Sequence, residues 1–138
     1  MKREAVFVDT SGWYALTNAG DIHHERATQC LRLVLAERRT LILTNHVASE
    51  TYTLLRVRLG AAQAGAFLSR TRDSAFTERV FVPGSWEEAA EDLLMRYQDQ
   101  DFSYVDATSF IVMRRLGVQQ TLAFDHHFST MGFTLYEQ

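Results

Sequence analysis

The sequence predicts an α/β fold: a parallel sheet of four or five strands with helices on both faces, in three layers. Three observations carry this. Short runs of β-branched and aromatic residues alternate with longer segments of helical spacing along the chain. Buried strands separated by helices require right-handed crossovers, which put helices on both sides of a parallel sheet. The 138 residues contain no internal repeat, low-complexity tract or linker, which predicts one domain over 1–138 with a self-sufficient core.

The elements follow in order. Ala5-Val6-Phe7-Val8, ending at Asp9, is a buried strand. Thr10-Ser11-Gly12 turns the chain into a helix over 13–18, and a second helix covers 23–38. Residues 40–43 are another apolar run. Thr44-Asn45 then carries start signals for a helix over 46–58, which Gly60 ends. An alanine-rich helix spans 61–72, and 79–82 is a third strand stopped by Pro83-Gly84. Ser85-Trp86-Glu87-Glu88 and Ser103-Tyr104-Val105-Asp106 share capping-box spacing, opening helices over 85–98 and 103–116. Gly117 ends the latter. Residues 121–124 form a strand ending at Asp125, and 133–136 a weaker last one.

Composition narrows the function. With 46% hydrophobic and 22% charged residues, disordered and collagen-like classes are excluded. Fourteen Lys+Arg against seventeen Asp+Glu give a net charge of −3, which excludes a polybasic nucleic-acid coat protein. An enzyme that holds a phosphodiester through a metal stays open. Lys2 is the single lysine, so chemistry needing a lysine inside the fold is excluded. Cys30, the one cysteine, lies on a helical stripe with Ala27 and Val34 and reads as core filler; disulfides and thiolate zinc sites are excluded. The apolar run after residues 1–4 is too short for a signal peptide, and no stretch approaches the ~20 apolar residues of a membrane span. The expectation is a cytoplasmic protein with no membrane partner.

Four acids stand in awkward places. Asp9 and Asp125 each directly follow a strand, at the carboxyl edge of the sheet where α/β sites form. Glu50 shares a 3-4-3 stripe with Val47, Leu54 and Val57, which predicts a carboxylate on the apolar face of its helix. Asp106 shares a face with Phe102, Phe110 and Met113. A buried lone carboxylate costs several kcal/mol, so these acids need partners. The flanking Arg56, Arg58, Arg114 and Arg115 mostly point away by the same spacing. Converging carboxylates raise one another's pKa unless a cation neutralises them, and Mg²⁺ or Mn²⁺ suits such oxygen ligands. That ion would activate water and hold a phosphoryl oxygen. Taken singly, each acid has a plainer reading: Asp106 as a capping-box acid, Asp9 and Asp125 as turn residues.

Val8-Asp9-Thr10-Ser11-Gly12-Trp13, Thr44-Asn45-His46-Val47-Ala48-Ser49-Glu50, Phe102-Ser103-Tyr104-Val105-Asp106 and Ala123-Phe124-Asp125-His126-His127-Phe128 occur in that order. Together they resemble the PIN-domain ribonucleases, most closely the VapC-like toxins of toxin–antitoxin pairs. The resemblance implies a PIN-like fold and a Mg²⁺- or Mn²⁺-dependent endoribonuclease, with Asp9, Glu50, Asp106 and Asp125 as its catalytic acids. Asp9 and Asp106 would be the principal metal ligands, with Glu50 and Asp125 holding ion-bound waters or a second ion. Ser11 would orient Asp9, its other reading being the cap of the first helix. Asp101 would stand outside the ligands near the pocket mouth. A small antitoxin and a homodimer are the implied partners. At His126 and His127 a histidine could contact RNA or relay a proton, and a solvated turn is the plainer reading.

With net negative charge, affinity for single-stranded or looped RNA falls to local arginines, Arg56, Arg58, Arg114 or Arg115, and to stacking on Trp13, Tyr14 or Tyr104. Trp13, Tyr14, Leu54 and Leu55 fit either a protein interface or core. The adjacent pairs His23-His24 and His126-His127, with no HExxH, argue against a zinc hydrolase. Receiver and phosphoaspartyl phosphatase folds need the lysine this chain lacks, and no glycine-rich phosphate loop exists for an NTPase. The alternative from another class is a non-catalytic PIN-like interaction module, which would keep the fold and lose the acids.

Overall fold

The computed structural model describes residues 5–136. Within it five strands, β1 (Ala5–Val8), β2 (Thr40–Thr44), β3 (Thr77–Val80), β4 (Gln120–Leu122) and β5 (Thr134–Leu135), pair in the order β3-β2-β1-β4-β5. Every pairing is parallel. All four β1 residues are buried, as a strand covered on both faces must be. The covering helices are α1 (Thr10–Thr17), α2 (His24–Ala36), α3 (Asn45–Leu59), α4 (Ala61–Asp73), α5 (Gly84–Arg96), α6 (Tyr104–Leu116) and α7 (His127–Thr130). One hydrophobic cluster runs from Val6, Phe7 and Val8 through Ile42 and Leu55 to Phe110, Met113 and Phe128.

Strand order places the site. The chain steps outward from β1 to β2 and β3, then returns to lay β4 against the other side of β1. The crevice beyond the carboxyl ends of β1 and β4 is therefore the topological switch point, where ligands bind in open α/β sheets. Asp9 and Asp125 stand after these two strands. Gly12 keeps α1 tight against this edge. A Cβ there would lie 2.4 Å from the Leu122 carbonyl oxygen and 3.0 Å from Val8 Cγ1.

Several boundaries differ from expectation, each for a local reason. No turn separates β1 from α1, which begins at Thr10 directly after Asp9. β3 lies two residues before the predicted 79–82. Its partner β2 ends at Thr44 opposite Val80, and the Asn45 side chain takes the Val82 N–H instead. β4 stops at Leu122 rather than 124 because its neighbour turns into α1: Asp9 N donates to Leu122 O, and Ser11 Oγ accepts from Phe124 N. Only Thr134 and Leu135 of the predicted 133–136 join the ladder. α2 ends at Ala36, before Arg38 turns to a φ of 57°. The two capping-box sequences part company. Ser103 and Asp106 exchange both bonds, whereas α5 starts at Gly84 behind Pro83 with no side-chain cap.

Candidate active site

Asp9 leaves β1 at the switch point with only 4% of its surface exposed. Burial comes first in pushing its carboxyl from the ordinary 3.8 to about 7, followed by the negative charges of Asp125 and Asp106. Glu50 adds a smaller push, and the Thr10 backbone N–H pulls the other way. The field at Asp9 thus registers all three other acids: residues far apart in the chain meet at one place. Among the described residues no arginine pairs with any of the four.

Each acid is held by its own surroundings. Ser11 Oγ donates to Asp9 Oδ2 at 3.2 Å and accepts from Phe124 N at 3.0 Å, tying β1's end to the chain beyond β4. It orients Asp9 and does not cap α1, whose N-cap is Asp9 itself. Asp106 is 7% exposed and fills both roles the sequence allowed. It closes the α6 capping box through Ser103, and it also faces the acid cluster. Asp125 is half-buried, and its Oδ1 accepts from His127 N at 3.0 Å.

Glu50 requires a correction. It is exposed, not buried on an apolar stripe. The buried face of α3 is Val47, Ala48, Thr51 and Leu55, and Val57 is 78% exposed. Glu50 reaches the cluster from the rim, where Thr10 Oγ1 donates to its Oε1 at 2.6 Å. Thr51 Oγ1 in turn donates to Thr10 Oγ1 at 3.3 Å.

The expected solvated turn at 126–127 is also corrected. His126 is exposed, but His127 opens α7 with its side chain only 17% exposed. Its Nδ1 lies 2.9 Å from Asp106 Oδ2 and 3.9 Å from Asp125 Oδ1. One ligand atom each from Asp106, Asp125 and His127 falls within 4.8 Å of the others. Carboxylate donors around a buried carboxyl whose pKa is raised by burial and by neighbouring negative charge fit a hard divalent ion. The sequence does not single out Thr10, and it offers His127 as an RNA contact or proton relay rather than as a partner of Asp106. The signal for each is closeness in the chain to a candidate acid, Thr10 one residue after Asp9 and His127 two after Asp125.

The remaining candidates scatter. Asp101 is exposed, outside the cluster's contacts. Arg58 lines a groove beside Glu50 with His46, Leu54 and Val105, and its guanidinium lies 5.5 Å from the Tyr14 ring centre. Arg56 is exposed on the same helix and does not line that groove. Arg114 and Arg115 occupy the far end of α6, roughly 12 Å along its axis from Asp106, over Phe133 and Trp86. Trp13 and Leu55 are core, Tyr14 and Leu54 half-buried, and Tyr104 exposed. An apolar cleft lined by Trp13, Leu16, Leu31, Leu35, Phe67 and Phe76 contains none of the four acids.

The sequence pattern of the PIN domain matches residues 6–134, nearly the whole chain. The chain belongs to the PIN domain family. This PIN domain is 44% identical over 130 residues to the 23S rRNA-specific endonuclease VapC20 of Mycobacterium tuberculosis, covering 93% of the chain and 95% of that relative. It is 28% identical over 127 residues to a VapC ribonuclease of Archaeoglobus fulgidus, covering 91% and 80%. The crystal structure of M. tuberculosis VapC20, described as a sarcin-ricin loop cleaving toxin, superposes on this PIN domain with a TM-score of 0.85. Sequence identity there is 43%, over 94% of this chain and 96% of that one. The α/β architecture with its five-stranded parallel sheet is thus that of the PIN fold.

Proposed function

We propose that the chain acts as one PIN domain and is a metal-dependent endoribonuclease, the toxin of a toxin–antitoxin pair. The observation that carries this is the meeting of Asp9, Glu50, Asp106 and Asp125 at the switch point, with no guanidinium pairing with them among the described residues. The substrate class is a looped or single-stranded RNA segment whose backbone can enter a recessed pocket. Likeness to a 23S rRNA-specific endonuclease and to a sarcin-ricin loop cleaving toxin favours a loop of large-subunit ribosomal RNA.

Asp9, Asp106 and Asp125 would hold Mg²⁺ or Mn²⁺. When bound, such an ion supplies Lewis-acid charge for phosphodiester hydrolysis and acidifies water. The side chains supply position. Ser11 keeps Asp9 turned toward the chain beyond β4, and the capping box fixes Asp106 on a rigid helix. Glu50, at the solvent rim and held by Thr10, would take the proton of the attacking water. That water's oxygen bonds to phosphorus as one P–O bond to a ribose oxygen breaks, and the leaving oxygen takes a proton from solvent. Arg58 would meet the RNA backbone, a role supported by its position in the groove beside Glu50. A small antitoxin, a second copy of the chain and a cytoplasmic location belong to the same reading through the VapC likeness.

Incubation with a ribosomal RNA loop fragment tests the reading. Cleavage in Mg²⁺ or Mn²⁺ should stop with EDTA, and Asp106→Asn should slow it at least a hundredfold. Cleavage indifferent to chelation, or to Asp106→Asn, would overturn it.

A further inference from the structure

We propose that His127 is a positioning residue that sets Asp106 and Asp125 simultaneously, one through its ring and the other through its backbone. The inference rests on the nuclease reading and deepens it. The His127 backbone N–H donates to Asp125 Oδ1 at 3.0 Å, while ring Nδ1 lies 2.9 Å from Asp106 Oδ2. Against a carboxylate oxygen the proton belongs on Nδ1, which donates.

The consequence lies in how Asp106 is used. Its Oδ2 accepts from both Ser103 N, at 3.0 Å, and His127 Nδ1. A carboxylate oxygen has two lone pairs, and these two donors occupy them. Oδ1 is then the oxygen with both lone pairs open to an ion. Without His127 the capping box alone holds Oδ2, and the carboxyl regains freedom to present either oxygen.

The ring is itself held. Phe102 meets it edge-on at 5.5 Å between ring centres, with planes at 84°, and His126 lies at 4.7 Å. Phe102 packs in turn on fully buried Phe110 of α6, the helix that carries Asp106. Ring and carboxylate are thus referenced to the same rigid element. Phe128, the next residue, anchors α7 in the core against Phe7 and Phe110. Asparagine at 127 would place an amide N–H where Nδ1 stands. Glutamine would place it near Nε2, beyond reach of Asp106 Oδ2.

His127→Asn and His127→Gln are therefore compared with wild type by calorimetric titration of Mn²⁺ alone and by steady-state RNA cleavage. His127→Gln should weaken Mn²⁺ binding and lower kcat by about 10- to 100-fold, with KM for RNA little changed. His127→Asn should recover most of both. Equal behaviour of the two variants, or a glutamine variant matching wild type, would overturn the proposal. So would ¹⁴N coupling in the electron spin echo of bound Mn²⁺ that His127→Gln removes, since the ring would then be a ligand. Wild type that cleaves while the variants behave alike defeats this inference alone. Wild type that neither binds Mn²⁺ nor cleaves defeats the nuclease reading beneath it.

Discussion

Thr10 Oγ1 donates to Glu50 Oε1 at 2.6 Å across forty residues of sequence. The bond joins the first residue of α1, immediately after Asp9, to the exposed face of α3. Buried Thr51 completes a relay, donating to Thr10 and leaving the Thr10 proton for Glu50. The rim carboxylate is therefore indexed to the strand end that carries the most buried acid.

Thr10→Val keeps the shape and removes the relay. Loss of the bond, with Thr51 Oγ1 left without its acceptor, should cost about 1–3 kcal/mol in urea unfolding. Cleavage should fall roughly tenfold if Glu50 acts through the orientation Thr10 imposes. In a Glu50→Gln background the same substitution should have little further effect on kcat, and a double-mutant cycle measures this directly.

Asp9 makes stability depend on pH. Its carboxyl titrates at about 7 in the folded protein against an ordinary 3.8, so between those values the folded state holds a proton the unfolded chain has lost. Without metal, stability should fall as pH rises through that window and level off above it, by on the order of a few kcal/mol. Asp9→Asn removes the effect. In EDTA it should be more stable than wild type at pH 8 and show no slope from this group between pH 4 and 7. Urea denaturation across pH reads both.

Gly12→Ala tests how closely α1 must approach the sheet. Alanine is the better helix former, yet its Cβ would meet the Leu122 carbonyl oxygen at 2.4 Å, a backbone atom that cannot swing aside. The expected result is a net loss of about 1–3 kcal/mol and a lower melting temperature. The same oxygen accepts from Asp9 N, so displacement should also disturb the acid cluster and reduce cleavage.

Much of this arrangement is legible in the sequence because it follows from where strands stop. Asp9 directly follows β1, and Asp125 closes an apolar run whose strand stops three residues earlier at Leu122, so the run places the acid beyond the right strand although it overruns the strand's end. Glu50 shows the limit of periodicity. Val47, Leu54 and Val57 make one apolar stripe on α3, while Val47, Ala48 and Leu55 make another, rotated around the helix. The second is the buried one, and polar Thr51 completes it because its hydroxyl finds an acceptor in Thr10. Capping-box spacing also cannot distinguish Ser85-Glu88 from Ser103-Asp106, since the difference lies in where Pro83 and Gly84 start the helix. The pairing of His127 with Asp106 escaped because α7 is a four-residue helix, too short for any period to show, and Asp106 lies twenty-one residues back.

Occupancy of one site by a divalent cation held by Asp9, Asp106 and Asp125, with Glu50 at its rim, is the proposal on which the nuclease reading rests. It is tested most directly by titrating Mn²⁺ into the purified protein near neutral pH while following thermal unfolding. The predicted result is a melting temperature that climbs with Mn²⁺ concentration in wild type and not in Asp9→Asn or Asp106→Asn. A wild-type melting temperature that stays flat through millimolar Mn²⁺, or climbs equally in both variants, would contradict it.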